Sequence, residues 1–133
     1  MAGTFTLRIV TPERTVYTGE TESLRAPGSE GSFGVLARHA PMVAALGVGP
    51  VEFSEDGSRR QMATSGGFVE VSAEGTTILA ETAEFGDEID VERAQAARDR
   101  ATKRLNQQSE IDRARAQASL ARAINRLSVG GAS

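Results

Sequence analysis

The residue pattern of this chain changes near Ile89 and Asp90. Before that point short apolar runs alternate with Gly and Pro, which is typical of strands joined by turns. After it most residues are Ala, Arg, Glu, Gln and Lys, which are good helix formers. The sequence therefore predicts an α+β chain in two segregated parts, a β domain over residues 1–86 and a helical segment over residues 87–133.

The β domain is expected to be antiparallel. Phe5, Leu7 and Ile9 alternate with polar residues, the period of a strand with one buried face. Turn residues recur at short intervals, at Pro27-Gly28, Gly47–Pro50, Asp56-Gly57, Gly66-Gly67, Glu74-Gly75 and Gly86. This spacing indicates short strands in a sandwich or barrel, with a tight hairpin at Asp56-Gly57 because both residue types tolerate positive φ.

The helical segment is predicted to form two helices, at about residues 90–106 and 110–129. Asp90 is placed to cap the first helix, and Asn106–Gln108 to connect the two. A short connection makes the pair antiparallel. Alanine recurs along the facing sides of both helices and buries little area per residue, so we expect a weakly held hairpin.

Charge is distributed unevenly between the two parts. Residues 1–86 carry six Arg against eleven acids, whereas residues 87–133 carry nine basic residues against seven acids. After Asp112 there are four arginines and no acidic side chain: Arg113, Arg115, Arg122 and Arg126. This bias indicates an acidic partner or a phosphate ligand, unless the helix face is simply hydrated.

The composition offers little for catalysis. Cysteine is absent, His39 is the one histidine, and no P-loop motif occurs, so we expect no catalytic residue and no metal site. His39 lies in a loop, where a hydrogen bond to the backbone is the ordinary outcome. No signal-peptide pattern or bilayer-length apolar run occurs, so a soluble protein is expected. Overall acidity and few aromatics argue against nucleic-acid binding.

Arginines form a row on each predicted helix. Asp90, Arg93, Arg100 and Arg104 fall near one stripe of the first helix, and Arg115, Arg122 and Arg126 follow steps of seven and four on the second. Folding the hairpin would bring the rows together, which is unfavourable unless an anion such as a nucleoside triphosphate lies beside them. Alternatively, Asp90 only caps its helix and the guanidinium groups are hydrated.

Five segments together carry a resemblance to a known family: Arg8–Pro12, Gly31–Leu36, His39–Pro41, Ser65–Val71 and Ala123–Val129. In their order and layout they resemble the epsilon subunits of bacterial-type F-type ATP synthases. The resemblance implies a flattened β-sandwich or barrel of about ten strands before the helical hairpin. It also implies a non-catalytic rotor subunit of a proton-translocating complex, peripheral to the cytoplasmic face of the bacterial inner membrane.

Partners and regulation are likewise implied by the resemblance. The β domain would bind the gamma subunit and rest on the c-ring, with Glu30, Ser32, Arg38 and His39 as candidate contacts. The folded hairpin would permit turnover, whereas an arm extended into the catalytic head of alpha and beta subunits would restrain ATP hydrolysis. The candidate inhibitory contacts of the arm are Arg113, Arg115, Arg122 and Arg126.

Some family members bind ATP through an Ile/Leu-Asp-x-x-Arg-Ala motif, which matches residues 89–94 here. By resemblance, Asp90 and the Ile89 backbone would contact the adenine or ribose side, with Arg93, Ala94, Arg100 and Glu84 in the same pocket. Arg122 and Arg126 would hold phosphates. No cofactor is required in this hypothesis, and ATP is a regulatory ligand. The alternative function is a free-standing nucleotide-sensing module that acts outside any synthase.

Overall fold

The computed structural model describes residues 3–105 and 110–131, with the side chains of residues 110–113 outside the description. Its strands are β1 (Phe5–Val10), β2 (Thr15–Thr21), β3 (Ser23–Gly28), β4 (Gly31–Leu36), β5 (Met42–Glu55), β6 (Ser58–Ser72), β7 (Gly75–Ala80) and β8 (Ala83–Phe85). A 3-10 turn (Gly86–Glu88) precedes the helices α1 (Val91–Leu105) and α2 (Glu110–Gly131). The chain divides into two compact units, a β unit that ends at Glu84 and a helical unit that begins at Phe85.

The strands form a sheet in the order β2-β1-β7-β6-β5-β3-β4, with β8 paired to β6. All pairs on this path are antiparallel except β1 and β7, which run parallel. The path is not closed between β2 and β4 in the described residues. Thr21 on β2 nevertheless hydrogen-bonds Ser54 on β5, so distant strands of the path face each other. The predicted fold class, a β-sandwich followed by a helical pair, is confirmed.

The strand count differs slightly from the resemblance, and two predicted turns lie inside long strands. Gly47–Pro50 belongs to the 14-residue β5, and Gly66-Gly67 belongs to the 15-residue β6. Pairing continues from Leu46↔Gly67 to Val48↔Ser65 without a change of register, so both strands run on past these glycines. Glycine is required there because Gly67 has φ 126° and a Cβ would collide with the Leu79 carbonyl oxygen. The described residues therefore form eight strands rather than about ten.

The core of the β unit follows the period-two pattern of the strands. Leu7, Ile9, Phe53, Met62 and Ile78 have no exposed surface. The hairpin predicted at Asp56-Gly57 is confirmed: φ is 50° at Asp56 and 82° at Gly57, and Glu55 pairs with Ser58. Positive φ at both central residues matches the twist of the flanking strands, so β5 and β6 pair along most of their length.

The helices of the helical unit pack against each other through alanine. Ala94 and Ala101 of α1 are buried, as are Ala116 and Ala123 of α2. Near the end of α2 a Cβ on Gly130 would lie 3.2 Å from methyl groups of Ile89 and Val91, so the two helices run antiparallel. The connector predicted at residues 106–108 lies outside the described residues. Small side chains thus bring the backbones close while burying a modest apolar area.

Candidate functional site

The start of α1 is fixed by Asp90. Its Oδ1 accepts a hydrogen bond from the Arg93 backbone N–H at 3.0 Å, and its carbonyl oxygen accepts one from Ala94 N–H at 3.0 Å. The predicted capping role of Asp90 is therefore confirmed. One oxygen of the carboxylate is committed to the helix, and the residue as a whole is exposed.

A groove of about 210 Å³ runs between α1 and α2. Four arginines line it, two from each helix, together with alanines and one serine: Ala97, Arg100, Ala101, Arg104, Ser119, Arg122, Ala123 and Arg126. The arginines of each helix are four residues apart and so share a face. The alanines form the floor because their small side chains let the helices approach. The result is a concave surface with a positively charged rim.

The arginines of this arginine groove differ in their contacts. Arg122 donates a hydrogen bond through Nη2 to Ser119 Oγ at 3.2 Å, which holds its side chain along α2. Arg100 and Arg104 are exposed and form no ion pair with any described residue. No acid is among the lining residues. Four guanidinium groups at one groove repel one another, and a bound polyanion would convert that repulsion into attraction.

The groove gathers part of the predicted nucleotide site. Arg100, Arg122 and Arg126 line it, as the resemblance implies. Asp90 and Arg93 lie at the start of α1 and are not among its lining residues, whereas Ile89 and Ala94 are buried within the helical unit. Glu84 belongs to β8 of the β unit. The predicted residues thus divide between the groove, the segment at the start of α1 and, for Glu84, strand β8.

Sequence reasoning missed two polar lining residues of the groove, Arg104 and Ser119. Arg104 lies one turn beyond Arg100 and was visible in the arginine row, so the four-residue step is the signal that could have placed it in the site. Ser119 carried no signal, since an isolated serine in an alanine-rich helix is common. Its role appears only with the hydrogen bond from Arg122.

The candidate inhibitory arginines do not share one environment. Arg115 is exposed on α2, whereas Arg122 and Arg126 are half-buried beside the groove. The side chain of Arg113 lies outside the described part of the chain. The same two arginines, Arg122 and Arg126, were predicted both to hold phosphates and to act in the arm. A ligand in the groove would therefore occupy part of the arm's cationic surface.

The candidate partner contacts lie at turns of the β unit. Glu30 and Ser32 are exposed where β3 passes into β4. Arg38 and His39 follow β4 and line a second cavity of about 460 Å³. His39 Nδ1 donates a hydrogen bond to the Ala40 carbonyl oxygen at 2.7 Å, which confirms the backbone contact expected of this histidine. Glu30 and Ser32 are not among the residues that line this cavity.

Neither α1 nor α2, as far as their residues are described, has the length and apolar content of a bilayer-spanning helix. Within the described residues no three His, Asp or Glu side chains form a group suited to a metal ion.

Comparison with known proteins gives matches to both units. Residues 4–86 match the family described as ATP synthase, Delta/Epsilon chain, beta-sandwich domain. Residues 87–131 match the family described as ATP synthase, Delta/Epsilon chain, long alpha-helix domain. The two matches are contiguous and together take in nearly all of the chain, in the order of the two structural units.

Curated relatives agree with the family matches. An ATP synthase epsilon chain from Desulfitobacterium hafniense (strain Y51) is 50% identical over 107 residues, which are 80% of this chain and 81% of that protein. An ATP synthase epsilon chain from Bacillus pumilus is 46% identical over 128 residues, covering 96% of this chain and 98% of the relative. The second alignment reaches through both the β unit and the helical unit.

Solved structures share the fold. A chain in the Euglena gracilis mitochondrial ATP synthase, OSCP/F1/c-ring in rotational state 1, superposes with a TM-score of 0.82 at 25% identity and covers 94% of this chain and 79% of its own length. A chain in the central stalk/c-ring structure of Tetrahymena thermophila mitochondrial ATP synthase has a TM-score of 0.64 at 13% identity over 95% of this chain and 96% of that one. The second likeness concerns the fold alone.

Proposed function

Because this chain belongs to the ATP synthase delta/epsilon chain family, we propose that it is the epsilon-type subunit of the central stalk of an F-type ATP synthase. The observation that carries the proposal is the family match across both units, together with relatives named epsilon chain at about half identity. In this role the subunit performs no catalysis. It couples rotation of gamma to the c-ring and is held peripherally at the cytoplasmic face of the bacterial membrane through the complex.

The β unit is the docking part of this subunit. In the proposal it binds gamma and rests on the c-ring, with Glu30, Ser32, Arg38 and His39 near the ring. These residues are exposed or half-exposed at turns or, for Ser32, at the start of β4, so contacts there leave the core undisturbed. Co-purification of the tagged full chain with gamma and c subunits from its native cell tests this assignment. Recovery without any synthase subunit would instead favour a free-standing nucleotide sensor.

The helical unit is the regulatory part. An alanine-based interface holds α1 to α2 with little apolar area, so opening the hairpin requires a small free energy. Once extended, the arm would present Arg115, Arg122 and Arg126 to acidic surfaces of the catalytic head and restrain ATP hydrolysis. Arg113 is a candidate for the same contacts.

ATP hydrolysis by the assembled head tests the regulatory proposal. We expect the head with the full chain to hydrolyse ATP more slowly at low ATP than the head with a chain ending at Asp87, because only the full chain carries the arm. Both proteins keep the β unit, so assembly is matched. Equal rates at every ATP concentration would remove the arm from regulation.

ATP is the proposed ligand of the folded hairpin. Four arginines of two helices at one groove carry this proposal, since phosphate oxygens are the acceptors that guanidinium groups recognise best. Asp90 and Arg93 at the start of α1, with Ile89, Ala94 and Glu84, would serve the adenosine end. A ligand that binds only the folded arm stabilises it by mass action. A high ATP concentration therefore keeps the arm folded and ATP hydrolysis unrestrained.

Calorimetric titration of ATP into the isolated full chain tests the nucleotide site. Arg126→Ala and Arg100→Ala are expected to weaken binding by about tenfold or more, because each removes a charge-assisted contact. Arg98→Ala is the matched control: it removes the same charge from α1, but Arg98 pairs with Asp99 and does not line the groove. Equal affinities for all three variants would contradict the proposed groove.

A further inference from the structure

Arg38 has an unfavourable backbone conformation. Its φ is 66°, and the only other described non-glycine residue with positive φ is Asp56. The His39 N–H donates to the Leu36 carbonyl oxygen at 3.2 Å, which closes a four-residue turn after β4. Since Arg38 is the third residue and Ala37 keeps a negative φ, this is the pattern of a type II turn. That position favours glycine, and a residue with a Cβ atom is strained there.

The fold supplies no compensation for this strain. Arg38 is exposed, and its guanidinium forms no hydrogen bond or ion pair with any described residue. The turn would close equally well on a glycine, because its hydrogen bond joins backbone atoms of Leu36 and His39. Residues held in sparsely populated backbone conformations cluster at ligand-binding and switch sites. We therefore expect the Arg38 side chain to contact a binding partner rather than to stabilise the fold.

The surroundings of Arg38 define what would bind. It lines the 460 Å³ cavity at the turns of the β unit together with His39, Glu20 and Glu74, and the cavity is of a size that holds small ligands or tight turns. The carboxylates of Glu20 and Glu74 also form no ion pair with a described residue. One guanidinium beside two carboxylates disfavours a uniformly anionic surface such as a phospholipid bilayer. It suits a polypeptide turn that carries both an acid and a base.

We propose that Arg38 is the specificity-determining residue of this cavity, and that the cavity receives a polar turn of a c-ring subunit with an acidic side chain for Arg38 and a basic one for Glu20 or Glu74. This inference rests on the proposed rotor function and adds the recognition chemistry of its docking surface. The positive φ at residue 38 fixes the direction in which the side chain leaves the turn. Arg at position 38 makes the unbound chain less stable than glycine would. In the complex the same side chain gains an ion pair with the partner.

The experiment measures two quantities on the full chain, the thermal midpoint of the β unit and the affinity for a purified gamma–c-ring complex. Arg38→Gly is expected to keep the midpoint or raise it by up to about 4 °C, because the strain is relieved. The same variant should bind the complex about tenfold more weakly, because the charge is lost. Arg38→Lys keeps the charge and should retain affinity within about threefold of the original.

Asp56→Gly is the matched control, since it relieves a positive φ in the β5–β6 hairpin, away from the cavity lining. We expect it to leave affinity for the gamma–c-ring complex unchanged. A lower midpoint for Arg38→Gly would show that the side chain supports the fold, and unchanged affinity would show that it makes no contact; either overturns the inference while leaving docking intact. Charge-dependent binding to anionic phospholipid vesicles alone would replace the polypeptide partner with a membrane. Absence of binding by the unaltered chain would overturn the rotor function itself.

Discussion

Tyr17 on β2 is part of a small polar cluster beside the core. Its ring lies 4.7 Å from that of Phe53, and its hydroxyl hydrogen-bonds the carboxylate of Glu55. Arg60 Nη1 donates to Glu55 Oε1 at 2.8 Å. Burial of the phenol, followed by its hydrogen bond to Glu55, raises the pKa of Tyr17 to about 12. Hydrogen bonds from Arg60 and then Tyr17 lower the pKa of Glu55 below its usual value.

The single tyrosine of the chain makes this cluster measurable. We expect ultraviolet titration of the folded protein to give a phenol midpoint near 12, against about 10 in denaturant. Glu55→Gln should move the folded midpoint downward, because it removes a negative charge that opposes ionisation. A folded midpoint equal to that of the denatured chain would contradict the described contact.

The two shifts also set where this cluster contributes to stability. The folded state holds the Tyr17 proton more tightly than the unfolded state, so its contribution is complete below about pH 10 and is lost as pH rises towards 12. The lowered pKa of Glu55 acts at the other end: its contribution is present above the usual carboxyl pKa and is lost as pH falls through the folded value.

Individual residues were predictable where the signal is local. The cap by Asp90 and the backbone contact of His39 depend on neighbours within a few positions, and both followed from residue type and place. The strained φ of Arg38 did not, because arginine carries no sequence signal for a left-handed conformation. Thr21 also gave none: its hydroxyl bonds Ser23 O and Ser54 Oγ, and the second of these lies 33 positions away.

At the level of elements, glycine was the signal that misled. Gly66 and Gly67 indicated a turn between two strands, whereas both lie inside β6. Glycines with positive φ occur in turns and, as here, inside strands, so the local pattern cannot separate the two cases. The difference lies in pairing with β5 and β7 on either side, which is non-local. The helices were easier to predict, because their recurring alanines and the capping residue lie within one stretch of sequence.

The packing of α1 against α2 can be tested at Gly130. A Cβ there would lie 3.2 Å from Ile89 and Val91, whereas one on Gly131 would meet nothing within 4 Å. We expect Gly130→Val to destabilise the helical unit by about 1–3 kcal/mol through overpacking. Gly131→Val should be neutral or stabilise by a few tenths of a kcal/mol at most, roughly the gain in helix propensity. Urea unfolding followed by circular dichroism at 222 nm measures both.

If both valine variants unfold at the same urea concentration, the close approach of Gly130 to the start of α1 is not a stabilising contact. If only Gly130→Val is weakened, the same variant should also bind ATP less well, because the groove requires the packed hairpin. Its ATPase phenotype in the assembled head should then resemble that of an arm held open.

At the level of the whole molecule, the division into two units makes a thermodynamic prediction. The proposed nucleotide groove is built from residues of the helical unit, and Tyr17 reports on the β unit. We expect ATP at about 100 times its dissociation constant to stabilise the helical signal by roughly 2.7 kcal/mol. The unfolding transition of the β unit, followed by Tyr17 fluorescence, should keep the same denaturant midpoint. Equal shifts of both signals would mean that the units unfold as one.

The overall fold class could be derived from periodicity and turn chemistry, since strands and helices leave different repeats in the sequence. Predicting that the arginines line one groove required only that the two helices pack antiparallel. Three of the four arginines in the groove were predicted site residues. The cavity beside Arg38 was not, because its walls come from four separate stretches of the chain. Sites within one supersecondary element are therefore more readable than sites between elements.

The parallel pairing of β1 with β7 has a consequence for synthesis. Leu7 lies opposite Thr76 and Ile9 opposite Ile78, so β1 cannot complete its ladder until almost the whole β unit has left the ribosome. Until then the apolar face of the β1–β2 ribbon is uncovered and its free edge can pair with other chains. Nascent chains that stall before β7 should consequently aggregate, whereas the α1–α2 hairpin, which follows the β unit and forms from local contacts, folds as soon as it emerges.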